Sequence, residues 1–244
     1  MINKKIWIYG KNSIFSLLEE NKRKVFEIQI VDGDILNKID KKHHKICKIV
    51  SQKQLLKNLN TDIAHQGISA CVEDIRNNNL EDINSHVIIL DNIYDHRNIG
   101  SIIRSSVAFG INNIIINKKD FSSGSQLMHK TASGSVEKMN FFLVSNISNS
   151  ISVLKKNNYY CISFDGKGTQ SMYEKKDVFF EKKIAFIFGS EDSGIRELTK
   201  KNSDYIFKIP IRNIESLNVS NAVTSVLTFH NYLISDSESK KTLS

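Results

Sequence analysis

Val87-Ile88-Ile89-Leu90-Asp91-Asn92-Ile93-Tyr94-Asp95-His96-Arg97-Asn98-Ile99-Gly100-Ser101-Ile102-Ile103-Arg104 is the stretch whose reading decides the fold. Four apolar residues, three of them β-branched, read as a strand buried on both faces. A polar turn follows, and then Ile99, Ile102 and Ile103 recur at helical spacing. The same grammar of strand, polar turn and helix returns at Ile184-Ala185-Phe186-Ile187-Phe188-Gly189-Ser190-Glu191-Asp192-Ser193-Gly194-Ile195. It returns again at Lys208-Ile209-Pro210-Ile211-Arg212-Asn213-Ile214-Glu215-Ser216-Leu217-Asn218-Val219-Ser220-Asn221-Ala222, which holds the only proline of the chain. Three such turns imply one composite site at the carboxyl ends of neighbouring strands.

Working outward, short apolar runs alternate with helical patterns from His86 onward. Strands are expected at 87–90, 113–116, 141–143, 159–164, 184–188 and 205–208, and helices at 98–109, 125–134, 147–156 and 218–233. This alternation predicts an α/β domain with a mostly parallel sheet covered on both faces. Residues 1–73 read as a smaller α/β unit, with helices at Ser13–Asn21, Ile35–Lys42 and Gln52–Leu59 and strands at Glu27–Val31, Cys47–Val50 and Ile68–Val72. The polar stretch 74–84 reads as a linker, 85–234 as the main domain, and the Ser/Lys/Glu-rich residues 235–244 as a disordered tail.

The composition narrows the function classes. The chain has 244 residues, mean hydropathy −0.27 and no apolar run near the roughly 20 residues that span a bilayer. The apolar stretch near the N-terminus is broken by Gly10 and Lys11 before a signal-peptide core forms. Three cysteines, Cys47, Cys71 and Cys161, lack metal or disulfide spacing, which fits a reduced, cytoplasmic setting. A net charge of +8 and a pI near 9.2 favour a polyanionic partner, although a lysine-rich composition alone also produces them. The seven histidines form no metal-type set, and there is no Gly-rich phosphate loop or serine nucleophile elbow. Metalloenzyme, nucleotide-loop and serine-hydrolase chemistry therefore lack their usual sequence support.

Asn98 and Arg104 share one helix, with Gly100 between them allowing close backbone approach. Arg104 reads either as a solvated helix residue or as a group reaching a phosphate. Gly189 ends an apolar strand and is open to a flat ligand on bare backbone, while Glu191 is placed to accept hydrogen bonds or to pair with Arg104 or Arg212. Asn218 also stands where it can cap the last helix.

Together these segments resemble the three signature motifs of the SpoU (TrmH-like) class of SPOUT RNA 2′-O-ribose methyltransferases. The first motif resembles Leu90–Gly110, the second Phe188–Gly194, and the third Ile209-Pro210-Ile211 with Ser216–Ser220. Ile8-Tyr9-Gly10 opening a helix and His65-Gln66-Gly67-Ile68 resemble the L30e-like substrate-binding domain of two-domain members, and Thr131–Glu137 matches a further segment typical of them.

The resemblance implies a C-terminal α/β-knot domain with a trefoil knot, S-adenosylmethionine as cofactor, and a homodimer whose site is completed across the interface. It implies an RNA partner, first a guanosine of 23S rRNA, and neither a metal nor a membrane. Asn98, Arg104, Glu191, Ser216 and Asn218 match the family's central catalytic positions. Phe164, Asp165, Gly166, Gly189, Ile209 and Leu217 match its cofactor pocket. Arg104 is placed at the 2′-hydroxyl, either as base or bound to the adjacent phosphate; a guanidinium holds its proton tightly, which favours the second role. Two departures stand out: His96 replaces a usual proline, and the third motif lacks one residue and has Asn213 near a usual glycine. A tRNA ribose methyltransferase and a catalytically inactive RNA-binding or ribosome-assembly factor are the alternatives; the first is disfavoured by the domain at 1–73, which tRNA-directed relatives often lack.

Overall fold

The structure, a computed structural model, describes residues 4–57 and 65–242. They form two compact units. The first comprises the chain through Arg76 together with Ser122–Lys138, and the second Asn77–Phe121 together with Met139 onward.

In the first unit, β1 (Lys5–Tyr9), β2 (Val25–Ile30), β3 (Cys47–Ile49) and β4 (Ile68–Glu73) pair in the order β1-β4-β2-β3. Ile6, Ile8, Ile28, Ile30, Ile68, Ala70 and Val72 alternate along three strands and bury one face against Ile14 and Leu17 of α1 (Lys11–Glu20). β1 has no counterpart among the sequence expectations. Its five residues become a strand through antiparallel pairing with β4, sixty or more positions away, a contact no local pattern carries.

The helix expected at Ile35–Lys42 is broken. α2 covers only Gly33–Leu36, and Asp40 adopts an extended ψ of 135° and accepts from the Lys42 amide, starting a separate 3₁₀ turn. α3 is Gln52–Lys57, and the last two residues of the helix expected to reach Leu59 lie outside the described residues. The segment Ser122–Lys138 was expected within the 85–234 domain but packs in the first unit. Tyr9 Oη donates to the Gln126 carbonyl at 3.2 Å, at the start of the short helix Gln126–Ala132 (α5 in chain order), and Arg23 Nε donates to Glu137 Oε2 at 2.9 Å. The Arg23 and Glu137 side chains are both almost fully buried, so each charge requires the other.

In the second unit, seven parallel strands follow the order β7-β6-β5-β10-β8-β11-β9. They are β5 (Val87–Asp91), β6 (Asn113–Asn117), β7 (Asn140–Val144), β8 (Tyr160–Phe164), β9 (Gln170–Ser171), β10 (Ile184–Gly189) and β11 (Tyr205–Lys208). The helices are α4 (His96–Ala108), α6 (Ile147–Lys156), α7 (Glu197–Asn202) and α8 (Val219–Thr242). β9 and α7 were not foreseen, being too short to show a period. Residues 235–242, expected as a disordered tail, continue α8; no Gly or Pro follows Pro210 to end the helix. Leu243 and Ser244 lie outside the described residues.

One sheet face packs Val87, Ile89, Ala185 and Ile187 on Ile147, Ile151 and Leu154 of α6. On the other, Phe164 stacks on Phe188 at 5.1 Å, and His230 of α8 lies 5.3 Å from Phe186 and 5.0 Å from His86. Burial holds the His86 imidazole below its usual value and lowers His230 to about 4; in the first unit, burial also lowers His129 to about 4. The folded chain keeps the His129 and His230 rings neutral while the unfolded chain protonates near 6.5, so the stability they contribute is full above 6.5 and lost as pH falls toward 4. Urea unfolding at pH 7 and pH 4.5 should show a loss of roughly 1–3 kcal/mol for each of His129 and His230. His230→Phe, which keeps an aromatic ring and cannot titrate, should flatten part of that slope; an unchanged slope would contradict the assignment.

Candidate functional site

The carboxyl ends of β8, β10 and β11 lie side by side and surround a cavity of about 650 Å³. That volume suits a small-molecule ligand of nucleoside size or larger. Its floor begins after β8. Asp165 Oδ1 accepts from the Lys167 amide at 2.8 Å and Oδ2 pairs with Lys200 Nζ at 2.8 Å. Burial alone would raise the Asp165 carboxyl, but the Lys200 ammonium and the surrounding amides outweigh it and hold the carboxyl below its usual value. The same ion pair raises the Lys200 ammonium. Gly168 closes this turn: a Cβ there would come within 2.9 Å of the Lys208 amide nitrogen.

After β10 the chain folds into a small ring. Gly194 N donates to Ser190 O at 2.9 Å, and the Ser190 and Ser193 hydroxyls meet at 2.7 Å. A Cβ on Gly189 would sit 2.3 Å from the backbone of Gly194. The glycine therefore leaves room for the ring that closes over it, and its backbone also lines the cavity. Gly194 itself has φ +66°, the left-handed region that glycine tolerates.

The loop after β11 carries Asn213 at φ +68°. Asparagine adopts this left-handed conformation more readily than most residues. At its end, Asn218 Oδ1 accepts from the Ser220 amide at 2.9 Å and caps α8. Its Nδ2 donates to Glu191 Oε1 at 2.6 Å and to Asn98 Oδ1 at 3.0 Å, while Asn98 Nδ2 donates to Glu191 Oε1 at 3.0 Å. The Val219 amide also points at Glu191 Oε1, at 3.3 Å. One carboxylate thus ties together α4, the β10 loop and the start of α8, with capping and site building combined in Asn218. His96 stands at the first position of α4, where proline is favoured; the helix still starts there because Asp95 accepts from the Arg97 amide at 2.8 Å.

All six expected cofactor residues, Phe164, Asp165, Gly166, Gly189, Ile209 and Leu217, line the cavity, as do Glu191 and Ser216. Asn98 and Asn218 join them only through Glu191. Ser216 is exposed and makes no side-chain hydrogen bond among the described residues. Arg104 does not line the cavity and is exposed, without an ion-pair partner among the described residues. Six residues at 100° each place it about 120° around the helix from Asn98, so Glu191 meets Asn98 and not Arg104; Arg212 makes no ion pair with Glu191 either.

Three groups were missed. Lys200 carries no local signal, and Gly168 was readable in Asp165-Gly166-Lys167-Gly168. The third is Asp91, 0% exposed, which accepts from Arg196 Nε at 2.6 Å and from the Arg196 amide at 3.1 Å. No described helix is long and apolar enough to cross a membrane, and no described group of three or more His, Cys, Asp or Glu is placed to hold a metal ion.

Residues 85–228 match the model of the SpoU rRNA methylase family. The 23S rRNA (guanosine-2′-O-)-methyltransferase RlmB of Blochmanniella floridana is 30% identical over 240 residues, covering 91% of this chain and 92% of its own length. The AdoMet-bound rRNA methyltransferase from Sinorhizobium meliloti superposes with a TM-score of 0.80 at 19% identity, covering 93% of this chain and 87% of that one. The A. aeolicus TrmH/SpoU tRNA modifying enzyme superposes with a TM-score of 0.57 at 17% identity, covering 64% of this chain and 78% of that one. With the family match spanning more than half the chain, this protein belongs to the SpoU rRNA methylase family.

Proposed function

We propose that this chain is an S-adenosylmethionine-dependent RNA 2′-O-ribose methyltransferase acting on a guanosine of 23S rRNA. The observation that carries the reading is the cavity at the carboxyl ends of β8, β10 and β11, whose lining includes every residue expected to hold the cofactor. The lining also fits the group chemically. Asp165, Glu191, Asp192, Glu197 and Glu215 face it against Lys167 and Lys200, an acidic balance in a basic chain that suits a cationic ligand and disfavours a polyphosphate. Ile209, Ile211, Leu217 and Val219 add apolar walls.

When bound, S-adenosylmethionine supplies a sulfonium methyl group open to attack by the ribose 2′-hydroxyl. Positioning dominates such a transfer. Glu191 fixes the Asn98 and Asn218 amides at the cavity rim. Arg104 binds the phosphate beside the target ribose, orients its 2′-hydroxyl and makes it more acidic. Its exposure on α4, without a partner among the described residues, suits a site completed by a second copy in a homodimer. Ser216 contacts the ligand from the loop after Pro210. The second unit belongs to the α/β-knot type with a trefoil knot, one of the rare exceptions to unknotted topology. The first unit is an L30e-like domain that grips the RNA, and the chain works in the cytoplasm. An rRNA substrate is favoured over tRNA because the 23S rRNA relative matches 91% of the chain, first unit included.

Calorimetric titration with S-adenosylhomocysteine, followed by labelling of 23S rRNA and tRNA with tritiated methyl donor, tests this. Saturable binding and 2′-O-methylguanosine in 23S rRNA are expected. A folded chain that binds no S-adenosylhomocysteine would overturn the reading, and label confined to tRNA would replace its substrate.

A further inference from the structure

We propose that Asp91 and Arg196 form a clamp that positions Glu191 for methyl transfer, an inference that rests on the methyltransferase reading above. Asp91 ends β5 and is the register partner of Gly189, where the Glu191 loop begins. Its carboxylate also holds the residue where that loop ends: Oδ1 takes Arg196 Nε at 2.6 Å and Oδ2 takes the Arg196 amide at 3.1 Å. A single buried residue therefore meets both ends of the loop, through its backbone register with Gly189 at one and its carboxylate on Arg196 at the other.

Between those ends the backbone has little freedom. The Ser190–Gly194 bridge closes the ring, and Gly189 has no room for a Cβ. Glu191 is the loop side chain that reaches outward, to Asn98, Asn218 and the Val219 amide. A ring held at both ends and closed on itself transmits a shift at Arg196 to Glu191 nearly undiminished. The Asp91 carboxylate is 0% exposed while the Arg196 side chain is 40% exposed. The anion therefore depends on its partner far more than the cation does, and the fork of the guanidinium fixes direction as well as charge. Lysine would keep the charge and lose that fork.

The test is a pair of double-mutant cycles crossing Arg196→Lys and Arg196→Ala with Glu191→Gln. The first reads hydrogen exchange at the Val219 amide, which points at Glu191, and needs no cofactor or RNA. Arg196→Ala should raise that exchange as much as Glu191→Gln does, and the double variant should add nothing. The second reads kcat for methyl transfer. Arg196→Ala should cost about 100-fold, the scale of a misplacement of about 1 Å, and nothing further once Glu191→Gln is present. Arg196→Lys should fall between, and it keeps the test valid if Arg196→Ala fails to fold.

Unchanged exchange at Val219 would overturn the clamp. So would multiplicative losses in kcat, which mark a purely structural ion pair. A wild-type chain that transfers no methyl group would overturn the methyltransferase reading instead, and the exchange cycle would still decide whether the clamp holds Glu191.

Discussion

Gly189→Ala is expected to abolish S-adenosylhomocysteine binding while the chain still folds. The added Cβ would lie 2.3 Å from the Gly194 carbon and oxygen and 2.4 Å from the Ile195 nitrogen. These are backbone atoms of a ring closed by its own hydrogen bonds, so none can move aside alone. The ring must open, which withdraws Glu191 from Asn98 and Asn218 and removes one wall of the cavity. Affinity should fall by more than about 100-fold, or about 2.7 kcal/mol. The far-UV spectrum should remain, because the strand ahead of the glycine keeps its parallel neighbours β5 and β8. Gly33→Ala is the control: nothing lies within 4 Å of its Cβ position. A Gly189→Ala protein that binds as the unaltered chain does would refute the ring as the cavity's wall.

Arg104→Ala should do the opposite, sparing fold and cofactor binding and removing turnover. The side chain is exposed and unpaired among the described residues, so its loss should change stability by no more than about 0.5 kcal/mol. It does not line the cavity, so S-adenosylhomocysteine affinity should hold. If the guanidinium orients the ribose through its phosphate, kcat should fall by about 10²–10³, the scale of removing one preorganised electrostatic donor. Arg104→Lys keeps the charge without the fork and should recover only part of that loss. Loss of binding and turnover together would sink the role, as would full activity.

Much of the second unit was legible because its information is local. Val87–Leu90 and Ile184–Phe188 are apolar without interruption, as strands covered on both faces must be, and the polar turns after them had to face the carboxyl edge. Glycine, asparagine and proline likewise signal backbone conformation where they stand, and Asn213 adopts the positive φ its residue type allows. β1 and the membership of Ser122–Lys138 were not legible in this way. A five-residue strand and a short helical segment carry too little periodicity, and what places them is pairing with β4 and the buried Arg23–Glu137 contact across more than a hundred positions.

The candidate site divides along the same line. The sequence alone pointed to the turns that line the cavity, because they follow directly from strands whose ends share one edge of a parallel sheet. It also named Asn98, Arg104 and Asn218, which do not line the cavity, and passed over Lys200, which does. Tertiary structure alone decided what each does there. Gly189 faces its own loop, Asn218 both caps α8 and binds Glu191, Arg104 points away from Asn98, and Asp91 holds Arg196. Those outcomes depend on distances between side chains far apart in the chain, and such distances are set by packing, which no local pattern encodes.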